Sequence, residues 1–290
     1  MQPDSIYKSD VAREEIEALY DRALARLSFP TESRWVKTTF GATHLLVAGP
    51  DGAPPLLVLQ GGNIVNPLTL AWLTPIAGEF RIYAPDTIGQ PGRSAGLPVS
   101  ANDTTLGEWC EQVLDGLGLE APAFVAISYG AGILLRLAAH RPERIGRAAL
   151  VVPAGIADVP LGSMLTLAAG YVSFLALRRP GLVEATVRRL AGPNPDPLVL
   201  ESTELAFRGT RLDTEMPRNA TVEELAGLTV PVLVLAGEHD PLFPPARILP
   251  RSRELFSNLV GAEMLVGCRH ILDDTCAALM AERIRPVLAI

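Results

Sequence analysis

Three polar residues of this 290-residue chain stand where chemistry could be done: Ser128 ends the run AFVAIS, Asp240 follows VLVLAGEH, and His270 follows EMLVGCR. A serine hydroxyl is a weak nucleophile at neutral pH and needs an imidazole to take its proton as it attacks a carbonyl. The imidazole needs a carboxylate on its other nitrogen, which fixes the tautomer and stabilises the imidazolium that forms. Ser, then Asp, then His, each just beyond an apolar run, is the chain order found when such a triad is built on a parallel sheet. The competing reading of Ser128 is a helix-capping serine, common ahead of any helix.

The surroundings of Ser128 favour the nucleophile. In VAISYGAG the residues two before and two after it are Ala126 and Gly130. A strand that turns at once into a helix strains the backbone at the serine and presses both positions against neighbouring chain, where only small residues fit. The N-terminus of the helix behind would aim N–H groups at a developing oxyanion, that of Tyr129 among them. A second donor is expected from a loop after an earlier strand, and LLVLQGGN offers Gly62, with Asn63 beside it. Of the four histidines, His44 lies within an early strand, His140 at the far end of the helix after Ser128, and His239 next to the acid; His270 alone follows the last strand. Asp240 is preferred to Asp273 and Asp274, which precede the last helix and suit its cap. Asp86 also ends a strand but leads into a turn-rich loop that it would anchor. Cys268 lacks a strand-to-helix turn and reads as a structural thiol.

Positioning these residues requires strands whose ends meet at one edge. A helix is predicted over 13–27, then paired strands SRWVKTTF and THLLVAG. From Pro55 short apolar runs alternate with helical stretches: LLVLQ, LTLAWLTPIAG, FRIYAPD, TTLGEWCEQVLDGLGL, APAFVAIS, ILLRLAAH and RAALVVP. Such runs lack the polar alternation of half-exposed strands and read as buried parallel strands covered by helices. The alternation stops over 154–221, an apolar helical insertion punctuated by RRPG and GPNPDP, and resumes with VPVLVLAGEHD, a helix over 245–257, the strand AEMLVG and a helix over 273–288. The expected organisation is an α/β core of residues 1–153 and 222–290 interrupted by a helical cap, 154–221. Within the cap, 159–177 carries no charge. Its proline, glycines and hydroxyl residues favour a buried or cap helix over a bilayer span. Met164, Tyr171 and Phe174 there, with Leu242 and Phe243 after the acid, suggest an apolar acyl or alcohol pocket.

The composition excludes some functions. A net charge of -7 argues against nucleic acid, whose binding relies on clustered Lys and Arg. The N-terminus is charged and lacks the apolar core of a signal peptide. Three cysteines, Cys110, Cys268 and Cys276, are too few and too irregular for a disulfide framework or a thiolate metal site, so reduced thiols in the cytoplasm are expected.

The motifs VLQGGN, YAPDTIGQPGRS, AISYGAG, LVLAGEHDPLFP and GCRHI, in this order and spacing, resemble the α/β-hydrolase superfamily from about Trp35 to the C-terminus. The N-terminal helix leading into VKTTFGATHLLVAGPDGAPPLLVL is similar to the bacterial carboxylesterase NP-type group. The resemblance implies an eight-stranded, mostly parallel sheet with a helical cap over a serine hydrolase site, and no cofactor. Gln60 stands where the family usually has histidine, and Pro91 interrupts a G-x-G-x-S run. With the triad it implies a small-molecule carboxylic ester as substrate, cleaved through an acyl-enzyme without a metal. A serine at the turn argues against dehalogenases and epoxide hydrolases, which use aspartate there. Lactone, thioester and carbon–carbon hydrolysis stay open, as does a binding protein with slow or no turnover on the same scaffold.

Overall fold

The structure, a computed structural model, describes residues 5–177, 179–212 and 215–289. Eight strands form one sheet: β1 (Thr31–Thr38), β2 (Gly41–Ala48), β3 (Pro55–Leu59), β4 (Arg81–Pro85), β5 (Ala123–Ile127), β6 (Arg147–Val151), β7 (Val232–Gly237) and β8 (Leu259–Leu265). Their order is β1-β2-β4-β3-β5-β6-β7-β8. β2 runs antiparallel to β1 and β4, and every other pairing is parallel.

The central strands are short and apolar because helices cover both faces, leaving no side for polar residues. Along β5, Phe124 and Ala126 join a core layer with Trp109 and Leu134, whereas Val125 and Ile127 join the opposite layer with Ile16 and Met280. The first layer holds α3 (Thr105–Leu117), α4 (Tyr129–His140) and α8 (Pro245–Leu255); the second holds α1 (Asp10–Ala25), α2 (Asn66–Leu70) and α9 (Asp274–Leu288). α1 starts earlier than the hydrophobic spacing suggests, because the Ser9 hydroxyl accepts from Ala12 N–H at 3.2 Å and caps it. The helix expected over LTLAWLTPIAG is short and passes into a 3-10 turn, Ala71–Ile76, which contains Pro75. β8 covers Leu259–Leu265 where 262–267 was expected, since Gly267, at φ +76°, turns the chain.

Between β6 and β7 the chain leaves the sheet for α5 (Leu161–Leu177), α6 (Pro180–Ala191) and α7 (Pro197–Gly209). The uncharged stretch forms α5, but the helix is not buried. Phe174 is its one buried residue among those described, and Leu161, Leu165 and Val172 face solvent. Its inner side meets α6 where Gly170 approaches Thr186; a Cβ there would lie 2.5 Å from the threonine Oγ1. Among the described residues no helix is long and apolar enough to cross a membrane.

The return from these three helices to the sheet is fastened by one carboxylate. Glu224 accepts from both terminal nitrogens of Arg218, from Thr221 N–H at 3.0 Å and from Arg136 Nη1 at 3.4 Å. Arg136 lies in α4 with 3% of its side chain exposed, and its Nε and Nη2 have no hydrogen-bond partner among the described residues. Hydrogen bonding from Arg218, ahead of the attraction of Arg136, holds the Glu224 carboxyl down to about 2 from its ordinary 4.5. A carboxyl depressed by folding stabilises above its unfolded pKa and loses that contribution as pH falls through the folded value. Glu224→Gln is therefore expected to cost about 1–2 kcal/mol at pH 7, allowing for partial solvent screening. Thermal melts from pH 7 to pH 2 should show the wild-type advantage shrink between about 4.5 and 2.

Candidate active site

Ser128 stands between β5 and α4 at φ +50° and ψ -113°, a left-handed backbone that non-glycine residues seldom adopt. Three main-chain hydrogen bonds over-determine it. Ser128 N–H donates to Val151 O at 2.9 Å, and Ser128 O accepts from Ala131 N–H at 2.9 Å and Ala154 N–H at 3.1 Å. Because β5 turns into α4 so sharply, Gly130 is pressed onto β3: a Cβ there would lie 2.4 Å from Leu59 O and 2.8 Å from Gln60 O. The small residue that the spacing demanded two places after the serine thus has a concrete cause.

The other two residues arrive from the ends of β7 and β8. His270 Nε2 lies 3.0 Å from Ser128 Oγ, and His270 Nδ1 lies 2.9 Å from Asp240 Oδ2. A carboxylate only accepts, so the proton sits on Nδ1 while Asp240 is ionised, leaving Nε2 to accept from the serine hydroxyl. Asp240 is buried, and its second oxygen accepts from Leu242 N–H at 2.8 Å and Phe243 N–H at 3.1 Å. Those amides solvate the anion where water does not reach, and they orient it. Leu242 and Phe243, expected to offer side chains to a pocket, serve Asp240 through their main chains. The Phe243 ring also packs 5.6 Å from the His270 ring. Asp273, the alternative acid, instead caps α9, its Oδ1 accepting from Cys276 N–H at 2.8 Å.

The loop after β3 brings Gly62 alongside the first residue of α4. A Cβ on Gly62 would lie 3.1 Å from Tyr129 Cβ, so the two expected oxyanion donors are neighbours. Asn63, at φ +56°, turns its N–H the other way, to Gln90 Oε1 at 2.7 Å; as an alternative donor it is thereby withdrawn. Gln60, in the place of the expected histidine, is buried and donates from Nε2 to Ile64 O at 2.9 Å, while its Oε1 accepts from Thr87 N–H at 3.4 Å. Gln60 and Gln90 together stitch the loop after β3 to the loop after β4. Neither role was visible in the sequence, where only the departure at Gln60 was a signal.

Asp86 anchors the loop after β4 as expected. It accepts from Tyr20 Oη at 3.0 Å, Asn66 Nδ2 at 3.0 Å and Arg93 N–H at 2.9 Å, and it pairs with His44 Nδ1 at 3.1 Å. Burial pushes the Tyr20 phenol up, so it remains a donor. His44 thus belongs to a structural network. Met164 is half exposed on α5, and Tyr171 packs edge-on at 4.9 Å against Phe207 of α7.

The expectation of three unpaired cysteines is overturned. Cys268 and Cys276 are joined in a disulfide, with Cα atoms 5.6 Å apart, and only Cys110 is a free cysteine. Counting cysteines missed it because one local bridge needs no framework, and the turn at Gly267 brings the first turn of α9 back over the strand end. The inference from cysteine usage to a reducing compartment falls with it. Among the described residues no group of three or more His, Cys, Asp or Glu is arranged to hold a metal ion. A cleft of about 530 Å3 opens between α1, α2, the start of α7 and the stretch after His270. Trp72, Val199, Ile271 and Leu272 line it, whereas Ser128, Gly62 and Tyr129 do not.

Comparison with known proteins agrees with this architecture. An alpha/beta hydrolase family model matches residues 67–283, and the chain belongs to that family. It is 28% identical over 268 residues to carboxylesterase YbfK of Bacillus subtilis, covering 88% of this chain and 86% of that protein. It is 26% identical over 288 residues to the uncharacterized carboxylesterase nap of the same organism, covering 91% and 89%. The crystal structure of naproxen esterase from Bacillus subtilis superposes with a TM-score of 0.83 at 23% identity, covering 96% of this chain and 98% of that one.

The closeness of Gly130 to β3 yields a stability test. Gly130→Ala must displace the backbone of Leu59 or of α4, since the atoms it meets are main chain. Overpacking of this kind typically costs about 1–3 kcal/mol. Thermal denaturation should show a melting temperature lower by several degrees, with Ala131→Gly affected much less.

Proposed function

We propose that this chain hydrolyses carboxylic esters of small or medium apolar substrates through an acyl-enzyme. Ser128 Oγ attacks the ester carbonyl while His270 Nε2 takes its proton. The oxyanion is held by the N–H groups of Gly62 and Tyr129. The tetrahedral intermediate collapses, His270 returns the proton to the departing alcohol, and Ser128 carries the acyl group. Water, deprotonated by the same imidazole, then releases the acid. Asp240 stays ionised throughout and stabilises the imidazolium.

One observation carries the reading: the unbroken hydrogen-bonded chain from Asp240 through His270 to Ser128, at 2.9 Å and 3.0 Å. A capping serine would instead receive N–H groups of α4, and no side-chain cap bond is made here. The carboxylesterase relatives favour an ester over a lactone, a thioester or a carbon–carbon bond. A binding module on the same scaffold drew its support from Gln60, and a satisfied Gln60 gives it none.

Hydrolysis of p-nitrophenyl acetate and butyrate tests the assignment. Ser128→Ala and His270→Ala should each lower kcat by at least about a thousandfold, and a fluorophosphonate should add one phosphonyl mass to wild type and none to Ser128→Ala. Turnover that survives in Ser128→Ala would reject the nucleophile. Gln90→Met, which frees the Asn63 amide, should lower kcat about tenfold with KM changed less than about twofold, since a displaced oxyanion loop weakens the transition state more than the ground state.

A further inference from the structure

The loop that carries His270 is closed by the Cys268–Cys276 disulfide, eight residues apart in sequence. Cys268 is fully buried, and its carbonyl accepts at 2.9 Å from the N–H of His239, the residue before Asp240. Cys276 lies in the first turn of α9, whose Met280 and Ile284 are packed in the core. The bridge therefore ties the strand end that presents the acid to a helix anchored in the core, with the imidazole between them. The cap provides the other support: Arg269 Nη1 donates to Arg189 O at 3.2 Å, and Ile271 N–H donates to Leu190 O at 2.9 Å. Those bonds come from the end of α6.

We propose that the Cys268–Cys276 disulfide is a positioning device for His270, which makes the hydrolase redox-sensitive. Oxidised, it keeps the imidazole within reach of Ser128 and Asp240 together. Reduced, it releases the loop and slows acyl transfer while leaving substrate binding unchanged. The inference rests on the reading of Ser128 and His270 given above. A dithiol effects the reduction: its thiolate attacks Cys276, the less buried partner, Cys268 leaves as thiolate and takes a proton, and the second thiol of the reagent displaces Cys276 while closing its own disulfide. Two electrons and two protons pass from reagent to protein. Cys110 takes no part, because burial pushes its thiol up to about 12.

Titratable thiols and steady-state kinetics on the whole protein, before and after dithiothreitol and again after reoxidation, test this. Unfolded without reductant, the protein should show one thiol, and three after reduction. On reduction kcat for p-nitrophenyl butyrate should fall between about tenfold and a hundredfold, the range expected when a catalytic group is misplaced by about an ångström. KM should stay within about twofold, and reoxidation should restore kcat. The Cys268→Ser, Cys276→Ser double variant should match the reduced enzyme, and Cys110→Ser should match wild type. Three thiols at the outset would overturn the proposal, as would unchanged kcat in a reduced enzyme. Loss of kcat and KM together with a collapsed melting transition would also overturn it, showing the bridge to be merely structural. Ser128→Ala separates the levels. If that variant is inactive while reduction is silent, only the role of the disulfide falls; if it stays active, the nucleophile reading falls first.

Discussion

The left-handed backbone at Ser128 is the constraint to which the rest of the site answers. A non-glycine residue held at φ +50° costs on the order of 1–3 kcal/mol, which must be offset by neighbours that fix it. They do so from both sides: β6 supplies the Val151 carbonyl and the turn after β6 supplies the Ala154 amide, while α4 closes over the serine carbonyl through Ala131. The turn persists only while β5 and β6 stay in register and α4 lies flat on β3. Gly130, with no side chain, lets α4 approach the Leu59 carbonyl that closely. A hydroxyl fixed in this way does not search for its partner. The partner must be brought to it.

Bringing the partner is a problem of loops, and polar bonds solve it where apolar packing cannot. The loop after β3 is held by Gln60 and Gln90, the loop after β4 by Asp86, and the Asp240 turn by its own amides. Each of these groups is buried, and each uses hydrogen bonds that would be costly to leave unmade. The arrangement is cumulative: Tyr20 and Asn66 hold Asp86, which sets the loop bearing Gln90, which sets Asn63 beside Gly62. A residue in α1, far from Ser128 in sequence, thereby bears on where the loop after β3 rests.

Much of this was legible in the sequence because it follows from periodicity. Buried parallel strands have no polar face, so β3, β5, β6 and β7 announce themselves as apolar runs, and Ser128 and Asp240 are read off their ends. What periodicity does not encode is main-chain chemistry and tertiary proximity. Leu242 and Phe243 read as apolar side chains, whereas their contribution to Asp240 lies in N–H groups that every residue but proline carries. Gln60 closes an apolar run and Gln90 sits in a turn-rich loop, and neither position tells which loop it will hold until the fold buries it. The disulfide escaped for the same reason, since two cysteines eight residues apart are compatible with many loop shapes and only the turn at Gly267 makes them meet. The uncharged run of α5 was read as a buried or cap helix, and a lack of charge does not choose between the two; the helix lies on the outside, with Phe174 its one buried residue among those described.

That outer helix points to a division of labour between the sheet and the insertion. The hydroxyl, the carboxylate and the imidazole rest on strand ends backed by two packed core layers, where displacement by even a fraction of an ångström must be shared by many atoms. α5, by contrast, buries Phe174 and leans Tyr171 on Phe207, while most of its apolar surface stays uncovered. Elements with so few buried apolar residues lie at the low end of local stability. α6 occupies the ground between, because its final carbonyls reach the residues on either side of His270. Any shift of the insertion is therefore felt first at the imidazole of His270 and least at the serine, whose geometry the sheet has already set. The insertion can then vary while the Ser128 hydroxyl stays where β5 and α4 put it.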